Sequence, residues 1–113
     1  MVNKNYVAGR GFEYRIIKWL VNKGYYVVRA YASKGIFDLV ATPPKSSRLS
    51  RALLIQAKYS RKGKTYITPE EKERLGIAAR RYKAFCCIAF NENRKLKWRL
   101  IDPYYYRKNK TLN

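Results

Sequence analysis

The sequence contains no histidine, and this absence excludes whole classes of enzyme. Zinc centres rely on histidine and cysteine, and Ser-His or Cys-His catalysis needs an imidazole base. Cys86 and Cys87 are adjacent in an apolar run, so strand geometry sends them to opposite faces. They suit neither a shared metal nor a disulfide framework, and we expect small buried residues. Any metal ion should therefore be a hard cation held by oxygen.

Long hydrophobic runs are absent as well. No stretch approaches the roughly 20 apolar residues that a membrane helix needs. No signal peptide is visible either, since the polar Asn3, Lys4 and Asn5 precede no apolar core. We therefore expect a soluble protein of the cytoplasm.

Acidic residues are few, with 7 Asp and Glu against 26 Lys and Arg, a formal net charge of +19. Such a surplus predicts a polyanionic partner, and nucleic acid comes first because neutralising phosphates releases counterions. An RNA-packing structural protein would carry the same surplus. With 113 residues, 47% of them hydrophobic, the chain should form one packed domain over residues 1–113.

The hydrophobic pattern predicts two helices. A helical stripe of apolar residues runs over residues 9–23, and Gly24 is placed to end it. Thr68 as the N-cap, Pro69 at the first helical position and a Glu three residues after the cap predict the second helix, over about residues 69–82.

Five strands are predicted from Val-rich and Tyr-rich runs and the turn residues between them. They cover residues 25–31, 36–42, 51–59, 84–90 and 96–101. The element order is thus α-β-β-β-α-β-β, with a hairpin between the second and third strands. Residues 102–113 form a basic, Tyr-rich tail, either partly disordered or packed as an arm.

Polar residues interrupt two of these strands. Asp38 lies near the start of the second, and Gln56 and Lys58 break the apolar run of the third. Side chains alternate faces along a strand, so Gln56 and Lys58 point one way while Ile55 and Ala57 point the other. A carboxylate, an amide oxygen and an ammonium at one sheet edge would cradle a divalent cation and a phosphodiester.

Each candidate residue has a structural alternative. Glu13, beside the apolar stripe of the first helix, would need a cation, a metal or hydrogen bonds if buried, but it could also reach solvent or pair with Arg10 or Lys18. Asp38 could cap a turn. Gln56 could close a buried hydrogen-bond network, and Lys58 could protect an exposed sheet edge. Their combination in one chain is what favours a site.

Basic and aromatic residues interleave along the chain, for instance from Tyr59 to Tyr66, as in a nucleic-acid track. A charged helix face is the alternative. A guanidinium and a hydroxyl just before Asp38, those of Arg29 and Ser33, could hold a phosphate or belong to a turn. The candidate DNA contacts are Arg10, Arg29, Lys34, Arg61, Lys62 and Lys64.

Taken together, the motifs resemble the PD-(D/E)xK nuclease superfamily and, within it, the archaeal Holliday junction resolvases. The segments that carry the resemblance are Gly11-Phe-Glu13, Val27-Val-Arg29, Ser33-Lys-Gly-Ile-Phe-Asp38-Leu-Val-Ala41, Ile55-Gln-Ala-Lys58 and Tyr66-Ile-Thr-Pro-Glu-Glu71. The resemblance spans about residues 8–101. It implies a restriction-endonuclease-like α/β domain with a mixed central sheet of about five strands flanked by helices.

The same resemblance implies a role for each site residue. Glu13 looks like the carboxylate of the first helix, Asp38 looks like the central metal ligand, and Gln56 stands where a second ligating carboxylate is usual. Lys58 looks like the catalytic lysine and Ser33 like an active-site contact. Metal-assisted hydrolysis of DNA would follow, in which Lys58 orients the nucleophile or stabilises developing negative charge.

The cofactor implied is Mg²⁺, which Mn²⁺ can replace, held by oxygens of Glu13, Asp38, Gln56 and Ala57. Two departures from the family pattern stand out. Phe37 replaces a proline, which an extended backbone tolerates. Gln56 in place of a carboxylate offers an oxygen without net charge, so metal affinity should be weaker.

Similar enzymes are homodimers that cut four-way DNA junctions at two symmetric sites. The leading hypothesis is therefore an archaeal, Mg²⁺-dependent junction resolvase of DNA recombination and repair, in an archaeal cell or the host of an archaeal virus or plasmid. The Gln-x-Lys motif also resembles Mrr-type endonucleases, which would make duplex DNA the substrate. A non-catalytic nucleic-acid-binding protein on a nuclease fold is the other alternative.

Overall fold

The computed structural model describes residues 4–30, 37–63 and 65–104 of the chain. Its elements are α1 (Lys4–Asn22), β1 (Tyr26–Arg29), β2 (Leu39–Thr42), β3 (Leu53–Lys58), α2 (Pro69–Tyr82), β4 (Phe85–Glu92) and β5 (Lys95–Ile101). The predicted order of helices and strands is confirmed. The start of α1 is a correction, because the helix extends upstream of the apolar stripe that predicted it. No helix in the described ranges is long and apolar enough to cross a membrane.

The five strands form one mixed sheet in the order β1-β2-β3-β4-β5. β1, β2 and β3 pair antiparallel, β3 and β4 pair parallel, and β4 and β5 pair antiparallel. The predicted hairpin of β2 and β3 is therefore confirmed. A parallel pair needs a crossover connection, and α2 lies in the connection between β3 and β4. This topology makes β3, the strand with the polar interruptions, the centre of the sheet.

Two hydrophobic clusters pack on the opposite faces of the sheet, one under each helix. The cluster under α1 contains Phe12, Ile16, Leu20, Leu39, Ala41, Ile55, Cys87 and Ala89, with Ala57 packed against it. The cluster under α2 contains Leu54, Leu75, Ala78, Ala79, Ala84, Cys86, Ile88 and Ile101. The two cysteines thus lie on opposite faces, as predicted. Burial raises the pKa of each thiol to about 12, so both remain protonated.

Local sequence signals determine where the helices begin and end. Thr68 Oγ1 accepts a hydrogen bond from the Glu71 backbone N–H at 3.1 Å, and the Glu71 side chain accepts one from the Thr68 N–H, which completes a capping box. Gly24 follows α1 with φ of +92°, a conformation that costs glycine little. The predicted bounds of α2 and the role of Gly24 are confirmed.

The predicted tail is described as far as Tyr104, and its first residues pack against α2. Arg80 donates a hydrogen bond to the Pro103 carbonyl, and its guanidinium lies 5.3 Å from the centroid of the Tyr104 ring. Asp102 Oδ1 accepts from the Tyr104 N–H at 2.8 Å. Residues 105–113 lie outside the described residues, so for them the predicted tail stays a prediction.

The close approach of the chain to α2 predicts opposite effects for two glycine substitutions. A Cβ on Gly76 would lie 2.9 Å from the Asp102 carbonyl oxygen, whereas a Cβ on Gly11 of α1 would meet nothing within 4 Å. We expect Gly76→Ala to destabilise the protein by about 1–3 kcal/mol, because backbone must shift. Gly11→Ala should stabilise it by about 0.5–1 kcal/mol through helix propensity.

Urea unfolding of both variants measures this contrast. If Gly76→Ala gains as much stability as Gly11→Ala, the segment after β5 does not pack closely against Gly76 of α2.

Candidate active site

A cleft of about 300 Å³ opens at one end of the sheet, where the carboxyl end of β3 meets α1. It is lined by Phe12, Glu13, Asp38, Gln56, Ala57, Tyr59 and Arg61. The lining residues come from α1, from the residue before β2, from β3 and from the segment after β3. Four residues predicted as metal ligands from three separate parts of the sequence therefore share one cavity.

Asp38 is fixed by its neighbours on both sides. Its backbone N–H donates to the Ile55 carbonyl at 2.7 Å, and its carbonyl accepts from the Ala30 N–H at 2.9 Å. Its Oδ2 accepts hydrogen bonds from the Ala57 N–H at 2.7 Å and from Gln56 Nε2 at 3.2 Å. The carboxylate is thus attached to β3, next to both polar residues that break the apolar run.

The cleft holds two carboxylates whose negative charges are poorly solvated. Burial, followed by the negative charge of Asp38, raises the pKa of Glu13. The guanidinium groups of Arg29 and Arg10 lower that pKa but only in part, although Arg29 Nε lies 3.4 Å from Glu13 Oε1. Burial also raises the pKa of Asp38, against the Ala57 hydrogen bond and the positive charge of Lys58. A cation placed between the two carboxylates would relieve this repulsion.

The chemistry of the donor set fits a hard divalent cation. Mg²⁺ is usually bound by one or two carboxylates together with waters and substrate phosphates, and amide and carbonyl oxygens also serve hard cations. Glu13 and Asp38 provide the carboxylates, the Gln56 side chain an amide oxygen and Ala57 a carbonyl. No group of three or more His, Cys, Asp or Glu side chains suited to a metal occurs in the described part of the chain.

Lys58 is not one of the described residues that line the cleft, and it forms an ion pair with Glu71 in the first turn of α2. Its positive charge acts on Asp38, whose pKa it lowers. β3 is a central strand of the sheet, paired with β2 at Leu53–Ile55 and with β4 at Leu53–Lys58, where Lys58 lies opposite Phe90. Lys58 is therefore not on an edge strand.

Four of the six candidate DNA contacts lie within the described ranges, and all four are exposed: Arg10, Arg29, Arg61 and Lys62. Arg61 lines the cleft itself, and Arg29 borders it through its ion pair with Glu13. Ser33, Lys34 and Lys64 lie outside the described residues. The roles of all these residues remain predictions.

Two features in or near the cleft were not predicted from the sequence. The rings of Phe12 and Tyr59 pack with centroids 5.5 Å apart and form an aromatic wall. The buried Asn91 donates to the Ser60 carbonyl at 2.6 Å and accepts from the Ser60 N–H at 2.8 Å, which fixes the segment between Tyr59 and Arg61. Asn91 is visible in the sequence as a polar residue near the end of an apolar strand. Its partner, Ser60, is 31 residues away and could not be inferred from this signal.

The fold and the site together define a class of protein, the PD-(D/E)xK nucleases. In them a mixed sheet brings a helix carboxylate, a strand carboxylate and an x-Lys motif to one cleft. The model of the archaeal Holliday junction resolvase family (Hjc) matches residues 4–113. The chain belongs to this family. Its members are metal-dependent, structure-selective endonucleases that resolve Holliday junctions, so the predicted fold class, enzyme class and function are confirmed.

Solved structures agree with this assignment. Hjc of Archaeoglobus fulgidus, a Holliday junction resolvase from an archaeal hyperthermophile, is similar at a TM-score of 0.64 and 27% sequence identity. The match covers 85% of this chain and 73% of that chain. Sixteen chains of solved structures match in all. No curated protein sequence matches the chain.

The raised pKa of Glu13 predicts the effect of neutralising it. A folded-state pKa above the ordinary 4.5 means that the fold loses stability as pH rises from below 4.5 through the folded-state value, and the loss is complete above it. In protein stripped of metal by a chelator, Glu13→Gln should remove this loss. Its free energy of unfolding should therefore exceed that of the wild type more at about pH 7 than at about pH 4.

Urea titrations at the two pH values measure the difference. Glu92→Gln removes the same charge at an exposed end of β4 and serves as the control. If the stability gained by Glu13→Gln over the wild type shrinks as pH rises, the cleft does not destabilise the ionised Glu13 carboxylate.

Proposed function

We propose that the protein resolves four-way DNA junctions by metal-assisted phosphodiester hydrolysis in the cleft of Glu13, Asp38, Gln56 and Ala57. The observation that carries the proposal is the attachment of the Asp38 carboxylate to the Ala57 N–H, with Lys58 close enough to lower the pKa of Asp38. Membership of the resolvase family supports the four-way junction as the substrate.

Magnesium is the ion proposed for this cleft, with manganese as its substitute. Oxygens of Glu13, Asp38, Gln56 and Ala57 would hold it. When bound, it lowers the pKa of a water and neutralises charge on the scissile phosphate. The half-buried position of the two carboxylates and their mutual repulsion support this assignment.

The other residues bind and orient the DNA. Lys58 presents a compact ammonium that orients the nucleophile or stabilises negative charge on the phosphate. Ser33 is an active-site contact in this proposal. Phosphates of the junction arms are contacted by Arg10, Arg29, Lys34, Arg61, Lys62 and Lys64. The position of Arg61 in the lining of the cleft supports its contact with the DNA backbone near the scissile bond.

A homodimer is part of the proposal. Resolution of a junction requires cuts in two symmetry-related strands, and two copies of the chain supply two related sites. The working compartment proposed is the cytoplasm of an archaeal cell, or of the host of an archaeal virus or plasmid. The net charge of +19 supports a nucleic-acid substrate for such a dimer.

Asp38→Asn tests the central assignment. The variant keeps the size of the side chain and an oxygen for the Ala57 N–H but removes the charge, so cleavage should fall by at least about 100-fold, because the metal loses its main ligand. Junction affinity should stay within about twofold, since phosphate contacts dominate affinity. Asp102→Asn, beyond β5, is the matched control.

The assay compares four-way junction, duplex, flap and single-stranded DNA, each with and without magnesium. Cleavage by Asp38→Asn at the wild-type rate would remove Asp38 from the site. Preferential cutting of duplex by the wild type would favour the Mrr-like alternative.

Because the Gln56 side chain is neutral, the cleft should bind its metal more weakly than it would with a carboxylate at this position. Gln56→Glu adds a unit of negative charge to the cleft, and the magnesium concentration for half-maximal junction cleavage should fall about tenfold. A titration of cleavage rate against magnesium measures this. An unchanged or higher concentration would show that Gln56 does not face the metal. If the wild type cuts nothing with magnesium or manganese and Gln56→Glu cuts, the protein is a non-catalytic DNA-binding protein.

A further inference from the structure

The partner of Lys58 comes from a different layer of the molecule. Lys58 ends β3, and the carboxylate that contacts its ammonium belongs to Glu71, in the first turn of α2. The contact is largely shielded from water, with the side chains of Lys58 and Glu71 29% and 18% exposed. An ion pair in such a place is stronger and less screened by salt than a pair on the surface.

The Glu71 carboxylate uses its two oxygens for separate contacts. Oε1 accepts hydrogen bonds from the Thr68 hydroxyl at 3.2 Å and from the Thr68 N–H at 3.5 Å, while Oε2 contacts Lys58. The capping box therefore holds the carboxylate through contacts that do not involve Lys58. The Lys58 interaction and the Thr68 hydrogen bonds together outweigh burial and lower the pKa of Glu71, so it is ionised at neutral pH.

A lysine needs such an anchor more than most side chains. Its four-carbon chain has many rotamers, and this conformational freedom must be lost each time the ammonium is placed. Gln56, two residues earlier on the strand, carries no charge and donates its amide to Asp38. Because an ammonium has three N–H donors, its bond to Glu71 leaves others for a phosphate.

We propose that Glu71 is a positioning residue: ordered by the capping box of α2, it holds the Lys58 ammonium in place for cleavage of the phosphodiester. The inference rests on the proposed function of Lys58. It makes the first turn of α2 part of the catalytic machinery, although Glu71 itself contacts neither the metal nor the DNA.

Glu71→Gln is the test variant, because it keeps the length of the side chain and an oxygen for the cap while removing the charge that holds Lys58. With saturating junction, kcat should fall about tenfold, since the ammonium is no longer pre-placed. The dissociation constant of the junction should stay within about twofold. Glu70→Gln removes the same charge from the neighbouring, exposed position of the same turn and should leave kcat unchanged.

Two further variants separate positioning from stability. Glu71→Asp keeps the charge and should retain more of kcat than Glu71→Gln. Thr68→Val removes the hydroxyl that orders the carboxylate, and it should lower kcat by a smaller factor without changing any charge. The inference is overturned if Glu71→Gln keeps or exceeds the wild-type kcat, or if kcat falls only in proportion to loss of folded protein measured by thermal melting.

A measurement without cleavage distinguishes failure of this inference from failure of the proposed function. The ¹H–¹⁵N signal of the Lys58 ammonium should report a restrained group in the metal-free wild type and in Glu70→Gln. It should be lost to rapid exchange in Glu71→Gln. An unchanged signal in Glu71→Gln overturns the positioning role of Glu71 even if the enzyme is active. A wild type that cuts no DNA overturns the proposed function. In that case the ammonium signal alone still tests whether Glu71 holds Lys58.

Discussion

The hydrogen bond from the Ala57 N–H to Asp38 Oδ2 is the interaction on which the rest of the site depends. The antiparallel register that pairs Leu39 with Ile55 brings Asp38 next to β3, and the 2.7 Å bond then fixes its carboxylate there. The polar residues of β3 share one face of the central strand, so a single local register decides whether amide, ammonium and carboxylate meet. A slip of one residue would direct Gln56 toward the hydrophobic cluster under α1.

The distribution of charge follows a second constraint. Only 7 of 113 residues are acidic, yet Glu13, Asp38 and Glu71 gather at or beside one cleft in a chain of net charge +19. A basic surface attracts DNA over a distance, and in the proposed function the cluster of carboxylates supplies the local negative charge that attracts a small cation. Gln56 adds no charge to this cluster. The positive charge of Lys58 is balanced by Glu71 of α2 rather than by a carboxylate on its own strand.

Much of this arrangement is predictable from the sequence, because it depends on local rules. Strand alternation predicted that Ile55 and Ala57 pack away from Gln56, and the capping residues predicted where α2 begins. The start of α1 at Lys4 was not predicted, because its first turns carry no apolar stripe. The contacts of Asn91 with Ser60 and of Lys58 with Glu71 were also not predicted, since they join elements whose spacing only the folded chain determines.

The most direct test of the central claim is a crystal structure of the protein soaked in manganese, with the ion located by its anomalous scattering. The account predicts an anomalous peak in the cleft, in contact with an oxygen of Asp38. The same peak should be absent from a crystal of the Asp38→Asn variant soaked under the same conditions. A manganese ion bound elsewhere, with Asp38 bonded only to β3, would contradict the account.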